Sequence, residues 1–147
     1  MTSSHSKAGF AGIMLEDQVA PKRCGHTPGK SVVSFEEACQ RIQAAVDARA
    51  EGGHDILIMA RTDALALHGL EEALRRMKAF SAIGADILFM EAPRNEAEMR
   101  AFCTACPDKP ANQTVHTGRP TLSPRALETS LLRAFVRRCR FSLCIVT

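Results

Sequence analysis

Three stretches of the chain are apolar almost without a break. Residues 10–16 read FAGIMLE, residues 55–61 read DILIMAR and residues 85–92 read ADILFMEA. None alternates apolar with polar positions, so none has the pattern of a strand with one wet face. Near-continuous short runs are the pattern of strands buried on both faces, which occur in parallel sheets. PANQT, residues 110–114, is a shorter fourth candidate. Between the runs the apolar period becomes helical. Ser34 and Glu37 form an S-x-x-E capping box, after which Phe35, Ala38, Cys39, Ile42, Ala45 and Val46 recur on one helix face. Leu70, Ala73, Leu74, Met77 and Phe80 make a second stripe that stops near Gly84. Asn95 caps a third helix with Met99, Phe102, Cys103 and Cys106 on its apolar side and Pro107 as the stop. Ser123-Pro124 reads as the N-cap and first residue of a fourth, with Leu127, Leu131 and Phe135 facing in.

The predicted order is β-α-β-α-β-α-β-α, closed by FSLCIVT at residues 141–147. Repeated βα units give an α/β fold with a parallel sheet, strands in chain order and helices outside. No linker or low-complexity segment divides the chain, so residues 1–147 are expected to form one domain. Residues 1–8 are a short lead without structure of their own.

Composition narrows the class. The chain has 147 residues, 46% of them hydrophobic and 24% charged, as in soluble globular domains. The net charge of +3 is too small to point to nucleic acid, and Arg133, Arg137, Arg138 and Arg140 are a short cluster near the end rather than a stripe. No apolar run approaches the roughly 20 residues of a membrane helix. The opening MTSSHSKAG lacks the apolar core of a secretory signal. The cytoplasm is the expected compartment, and the hydroxyls and lysine of that opening leave the mitochondrion or plastid as alternatives. The six cysteines are even in number, but Cys39 and Cys103 fall on apolar helix faces, where free cysteine behaves as a small hydrophobe. Cys103-x-x-Cys106 is read as core packing for the same reason, since no second pair completes a zinc site. A reducing compartment follows.

Each predicted strand ends in polar groups: Glu16-Asp17, then Arg61-Thr62-Asp63, then Glu91, then Asn112. In parallel α/β folds the C-terminal strand ends form one rim, and active sites are built on that rim. Acids, an arginine and an amide from successive strands are therefore expected to converge. Behind the first strand comes Lys22-Arg23-Cys24-Gly25-His26. A thiol among such cations has a depressed pKa, which keeps thiol and thiolate both within reach near neutrality. Gly25 lets a ligand approach the backbone closely, or simply makes a turn. Arg61 carries a planar fork suited to a carboxylate or enolate oxygen, or to an ion pair with Asp63 or Glu91.

EDQVAPKRCGH (residues 16–26), MARTDA (residues 59–64) and ADILFMEA together resemble the isocitrate lyase/phosphoenolpyruvate mutase family. The likeness is strongest to its 2-methylisocitrate lyase-like and carboxyvinyl-carboxyphosphonate phosphorylmutase-like members and runs over residues 7–124. It implies a magnesium-dependent (β/α)8 barrel, usually homo-oligomeric, that makes or breaks a bond beside an α-keto or α-hydroxy carboxylate through an enolate. By the same resemblance Cys24 is the acid/base that exchanges a proton with the carbanion. Arg61 binds substrate and enolate, and Gly25, His26, Glu91, Asn112 and Thr114 line the substrate. Glu16 faces magnesium through water, a reasonable role because magnesium keeps several waters and takes few carboxylates. Asp17 is expected to fix its loop.

Two departures qualify the resemblance. The first strands of the family's barrel, with a serine-glycine loop and the D-x-D aspartates that ligate magnesium, have no counterpart here. Beyond Ser130 the tail LLRAFVRRCRFSLCIVT no longer looks like the family, so residues 130–147 form an atypical tail, and QTVHTGRP puts His116 near where an acid is expected. The expected fold is the C-terminal portion of a (β/α)8 barrel, with the first and last strands left as unpaired edges. The expected function is magnesium-dependent carbon–carbon cleavage of a small 2-hydroxy di- or tricarboxylate. The alternatives are phosphonopyruvate-type mutase or hydrolase chemistry, decarboxylation of an oxaloacetate-type acid, and a non-catalytic paralogue that acts as an assembly partner.

Overall fold

A computed structural model describes residues 10–22, 29–53, 55–107, 111–113 and 143–145, the last two segments as backbone. The elements are β1 (Gly12–Glu16), α1 (Phe35–Gly52), β2 (Leu57–Thr62), α2 (Ala64–Ile83), β3 (Ile87–Met90), α3 (Glu96–Ala105), β4 (Ala111–Gln113) and β5 (Leu143–Ile145). All strand pairs are parallel, in the order β4-β3-β2-β1-β5. The first four strands lie in chain order, as the βα repeat predicts. The fifth does not: β5 crosses the sheet and pairs with β1 instead of following β4. This corrects the expectation that β1 is an unpaired edge. The helix expected from Ser123 onward and the lead at residues 1–8 lie outside the described residues.

The helix ends are set by the residues that the sequence marks. Ser34 Oγ accepts from the Glu37 N–H at 3.1 Å, and Asn95 Oδ1 accepts from the Glu98 N–H at 2.9 Å. Each satisfies one of the orphan donors of a first helical turn. Gly84 ends α2 with φ of 119°, a backbone shape that disfavours any side chain. The start of α2 differs from the expectation. It begins at Ala64, ahead of the stripe that opens at Leu70, because Gly69 at φ 83° interrupts the helix and splits its apolar pattern.

The helices pack on one face of the sheet. Ala60, Leu88 and Met90 meet Ala38 and Ile42 of α1, Leu65, Ala73, Met77 and Phe80 of α2, and Phe102 of α3. The opposite face carries a smaller cluster of Met14, Met59 and Ile87, with Leu57 and Phe89 beside it. The two clusters follow from the alternation of side chains along each strand. Phe80 and Phe102 are fully buried, so truncating either removes about 3–5 kcal/mol. Cys106 packs in the same core, where burial raises its thiol pKa. Cys103 does not: it is exposed, beside the stripe that Met99, Phe102 and Cys106 bury. Among the described residues no helix is long and apolar enough to cross a membrane.

Candidate active site

Register brings the polar strand ends together. Glu16 pairs with Arg61 across β1 and β2, and Thr62 pairs with Met90 across β2 and β3. The Glu91 N–H donates to the Thr62 carbonyl at 3.0 Å, which continues that ladder one residue past β3. Glu16, Arg61 and Glu91 therefore share one end of the sheet. Arg61 lies among acids: Nε is 2.9 Å from Asp63 Oδ2 and 3.3 Å from Glu16 Oε2, and Nη2 is 3.2 Å from Asp63 Oδ1 and 3.6 Å from Glu91 Oε2. Its guanidinium also lies 5.5 Å from the centre of the Phe89 ring, within cation–π range. Burial works against the cation, but the hydrogen bond and charge of Asp63, with the charges of Glu91 and Glu16, outweigh it and raise the Arg61 pKa. Among the described residues Nη1 makes no hydrogen bond, so one arm of the fork remains for an oxygen atom from outside.

A second set of charges supports this one from the helix side. Asp17 is buried and accepts from Thr62 Oγ1 at 2.6 Å, the Asp63 N–H at 2.9 Å and Arg76 Nη1 at 3.0 Å. Arg76 also donates to the Val33 carbonyl at 2.9 Å and to Glu72 at 2.8 Å. Asp63 is fully buried and takes Lys30 Nζ at 3.0 Å on the oxygen it shares with Arg61. Burial alone would raise the Asp63 pKa, but Arg61 and Lys30 outweigh it and hold the carboxyl below its ordinary value. The structural role expected of Asp17 is thus the one its contacts describe. The contacts of Lys30 with Asp63 and of Arg76 with Asp17 carry no local signal in the sequence, since those partners lie 33 and 59 residues away.

The loop after β1 leaves and returns over this rim. Gln18 and Val32 form an antiparallel bridge, the Val19 N–H donates to Ser31 O at 2.9 Å, and the Val33 N–H donates to Asp17 O at 2.8 Å. Lys22 Nζ lies 3.2 Å from Glu16 Oε1, so both arms of the loop are tied to rim acids, Lys22 to Glu16 and Lys30 to Asp63. Cys24, Gly25 and His26 belong to the segment between these lysines and lie outside the described residues. Asn112 sits on β4 in register with Phe89. Thr114 and His116 lie outside the described residues.

A direct magnesium site at this rim would need oxygen donors that are not already taken. Asp17 and Asp63 are taken by the partners above, Glu16 is shared by two cations, and no group of three His, Cys, Asp or Glu among the described residues could hold a metal ion. The described residues do not fit a direct magnesium site.

A family model described as phosphoenolpyruvate phosphomutase matches residues 2–133. The chain belongs to the phosphoenolpyruvate mutase family. It is 46% identical over 122 residues to the 2,3-dimethylmalate lyase of Eubacterium barkeri, covering 83% of this chain and 42% of that protein. It is 52% identical over 99 residues to the 2-methylisocitrate lyase of Escherichia coli (strain K12), covering 67% of this chain and 33% of that protein. A crystal structure of 2,3-dimethylmalate lyase, a PEP mutase/isocitrate lyase superfamily member, superposes with a TM-score of 0.76 at 35% identity and covers 98% of this chain and 46% of that one. A phosphonopyruvate hydrolase solved with oxalate and Mg2+ superposes at 0.65 and 26% identity, covering 99% of this chain and 47% of that one. The chain thus spans less than half the length of these relatives, and its fold is part of a TIM-barrel-type architecture.

Proposed function

We propose that this chain carries the C-terminal strand-end part of a carbon–carbon lyase site for a small 2-hydroxy di- or tricarboxylate such as 2-methylisocitrate. The observation that carries the reading is the convergence of Glu16, Arg61 and Glu91 on one rim beneath a loop whose two arms are tied to rim acids. The family's lyases support the reaction class.

The chemistry is a retro-aldol cleavage. The substrate hydroxyl gives its proton to a base, the adjacent carbon–carbon bond breaks, and its electron pair passes to the neighbouring carboxylate as an enolate. The carbinol carbon becomes the carbonyl of a keto acid. The free Nη1 arm of Arg61 takes a substrate carboxylate or enolate oxygen, where a charge already in place costs little reorganisation as charge develops. The thiol of Cys24 delivers the proton to the enolate carbon. Gly25, His26, Asn112 and Thr114 complete the carboxylate contacts in this proposal. Magnesium dependence belongs to it as well, with Glu16 acting through water and direct ligands drawn from outside the described residues.

One observation favours a second reading, a non-catalytic relative: Arg61 already lies within 3.6 Å of the acids around it. A complementation assay separates the two. The chain alone is expected to give no turnover of 2-methylisocitrate. Mixed with a separately expressed N-terminal half-barrel of a 2-methylisocitrate lyase, it is expected to turn over. In that mixture Cys24→Ser should lose most of the factor of about 10²–10⁴ that general acid catalysis contributes, with affinity little changed. Arg61→Ala should lose both affinity and rate. No turnover in any mixture supports the non-catalytic reading, and equal turnover by Cys24→Ser removes the proton-donor role.

A further inference from the structure

Lys30 is placed by the backbone that follows it. Ser31 accepts from the Val19 N–H and Val32 bridges Gln18, so the chain leaves Lys30 in a fixed direction. The Lys30 side chain is 6% exposed, and its amine reaches the fully buried Asp63 carboxylate at 3.0 Å. Both charged groups are shielded from bulk water, so they act strongly on a charge beside them. That charge is Arg61. Asp63 Oδ2 accepts from Arg61 Nε at 2.9 Å. Asp63 Oδ1 is divided: it takes Lys30 Nζ at 3.0 Å and Arg61 Nη2 at 3.2 Å. Carboxylate–guanidinium pairs favour two parallel hydrogen bonds. Here the second bond is the longer one, and its oxygen is shared with a lysine. The wider set is balanced. Glu16, Asp63 and Glu91 meet Arg61, Lys22 and Lys30, three carboxylates with three cations.

We propose that Lys30 is a positioning residue for the substrate carboxylate: by holding one oxygen of Asp63 it stops that acid from closing on Arg61, and so leaves the guanidinium positive toward a di- or tricarboxylate. The ligand in this proposal rests on the lyase reading above; the control of Arg61 does not. Without the amine, Asp63 has Arg61 as its one remaining cation among the described residues, and a buried carboxylate depends on the partner it has left. The guanidinium then takes both oxygens in full. The remaining set holds three carboxylates against two cations, which repels an anion. Arg61 stays in the site, but its charge is taken up by Asp63.

Three measurements test it. Reductive methylation of the unaltered full chain, read by mass spectrometry, should modify Lys30 much more slowly than the exposed Lys78. Lys30→Met keeps most of the side chain's length and removes its charge. Nitrogen-15 spectra of this variant should show rotation of the Arg61 guanidinium about Nε–Cζ slowed several-fold. In the complemented assay its KM for 2-methylisocitrate should rise on the order of tenfold, with kcat falling far less because Arg61 itself remains. Lys30→Arg keeps the charge and should recover most of the affinity. Equal methylation of Lys30 and Lys78 overturns the seating of the amine, and this result stands even if Lys30→Met does not fold. Unchanged guanidinium rotation overturns the control of Arg61. Turnover by Lys30→Met with an unchanged KM overturns the positioning role. If no mixture turns over, the lyase reading fails, and the first two measurements still decide whether Lys30 sets Arg61.

Discussion

At the end of β1, Glu16 and Asp17 are neighbours in the chain and face opposite sides of the sheet. Glu16 meets Lys22 and Arg61 at 3.2 and 3.3 Å on the side away from the helices, beside an arginine whose Nη1 makes no hydrogen bond among the described residues. Asp17 turns into the helix layer, where a hydroxyl, a backbone amide and Arg76 hold it at 2.6, 2.9 and 3.0 Å. The period-two geometry of a strand assigns one carboxylate to each face. The difference lies in what each acid's partners have left over. The contacts of Asp17 are short, buried and local to the fold, so the group is committed to structure. The contacts of Glu16 are longer, and its arginine is shared with Asp63 and Glu91, which leaves that side adjustable to the carboxylate ligand proposed for it.

The contrast breaks most visibly in stability. Asp17→Ala leaves Arg76 with the Glu72 carboxylate alone and takes the buried acceptor from the Thr62 hydroxyl and the Asp63 N–H, and breaking a buried pair from one side costs about 3–5 kcal/mol. Glu16→Gln keeps a side-chain acceptor beside Arg61 and Lys22 and leaves Arg61 with Asp63 and Glu91, so the loss should be smaller, about 1 kcal/mol. Urea unfolding of the two variants measures both. Equal losses would mean that Glu16 is as structural as Asp17, and the division between the two faces would fail.

Much of this contrast is legible in the sequence, and the illegible part has a physical cause. Near-continuous apolar runs mark β1, β2 and β3, and the caps at Ser34, Gly84 and Asn95 mark helix ends, because each is a local signal. The polar strand ends at Glu16, Arg61 and Glu91 are legible together because parallel strands in chain order must end on one side. Lys30 and Arg76 are not legible, since their partners are fixed only once α2 has packed on the sheet. The seat of β5 is not legible either: an apolar run says that a strand forms, not which edge receives it. The exposure of Cys103 is not legible either: Met99, Phe102 and Cys106 carry the buried stripe, and Cys103 lies just beside it.

The next effect is on pH dependence. Asp63 bridges the two sets of charges, through Arg61 on one side and Lys30 on the other. Its folded pKa lies below the unfolded value, so its contribution is fully present above the unfolded pKa of about 4 and is lost as pH falls through the folded value. Stability should therefore drop with acidification from about pH 4 downward. Asp63→Asn should cost about 1.5–3 kcal/mol at neutral pH, the range for hydrogen bonds to charged groups, and should flatten the acid limb. Unfolding curves between neutral and acid pH measure both. A variant with an unchanged acid limb would place the acid sensitivity in other carboxylates and leave the two sets uncoupled.

The smallest effect concerns how Glu91 is aimed. Ala92 follows it at φ 53°, a left-handed conformation that costs a residue with a Cβ about 1–2 kcal/mol, and Pro93 comes next. That turn takes the chain out of β3 just where the Glu91 carboxylate faces Arg61 at 3.6 Å. Strain kept at a strand end beside a candidate site is a reason to look for a positioning role. Ala92→Gly relieves the steric cost but loosens the unfolded chain, so the net gain should be about 1 kcal/mol or less. Thermal unfolding should show a small rise. The same change frees the backbone that sets Glu91, so in the complemented assay affinity for the carboxylate substrate should weaken as stability improves. Opposite signs in the two measurements would tie the strain to the site side of the rim. A gain in stability with affinity untouched would show that Glu91 is held by its neighbours alone.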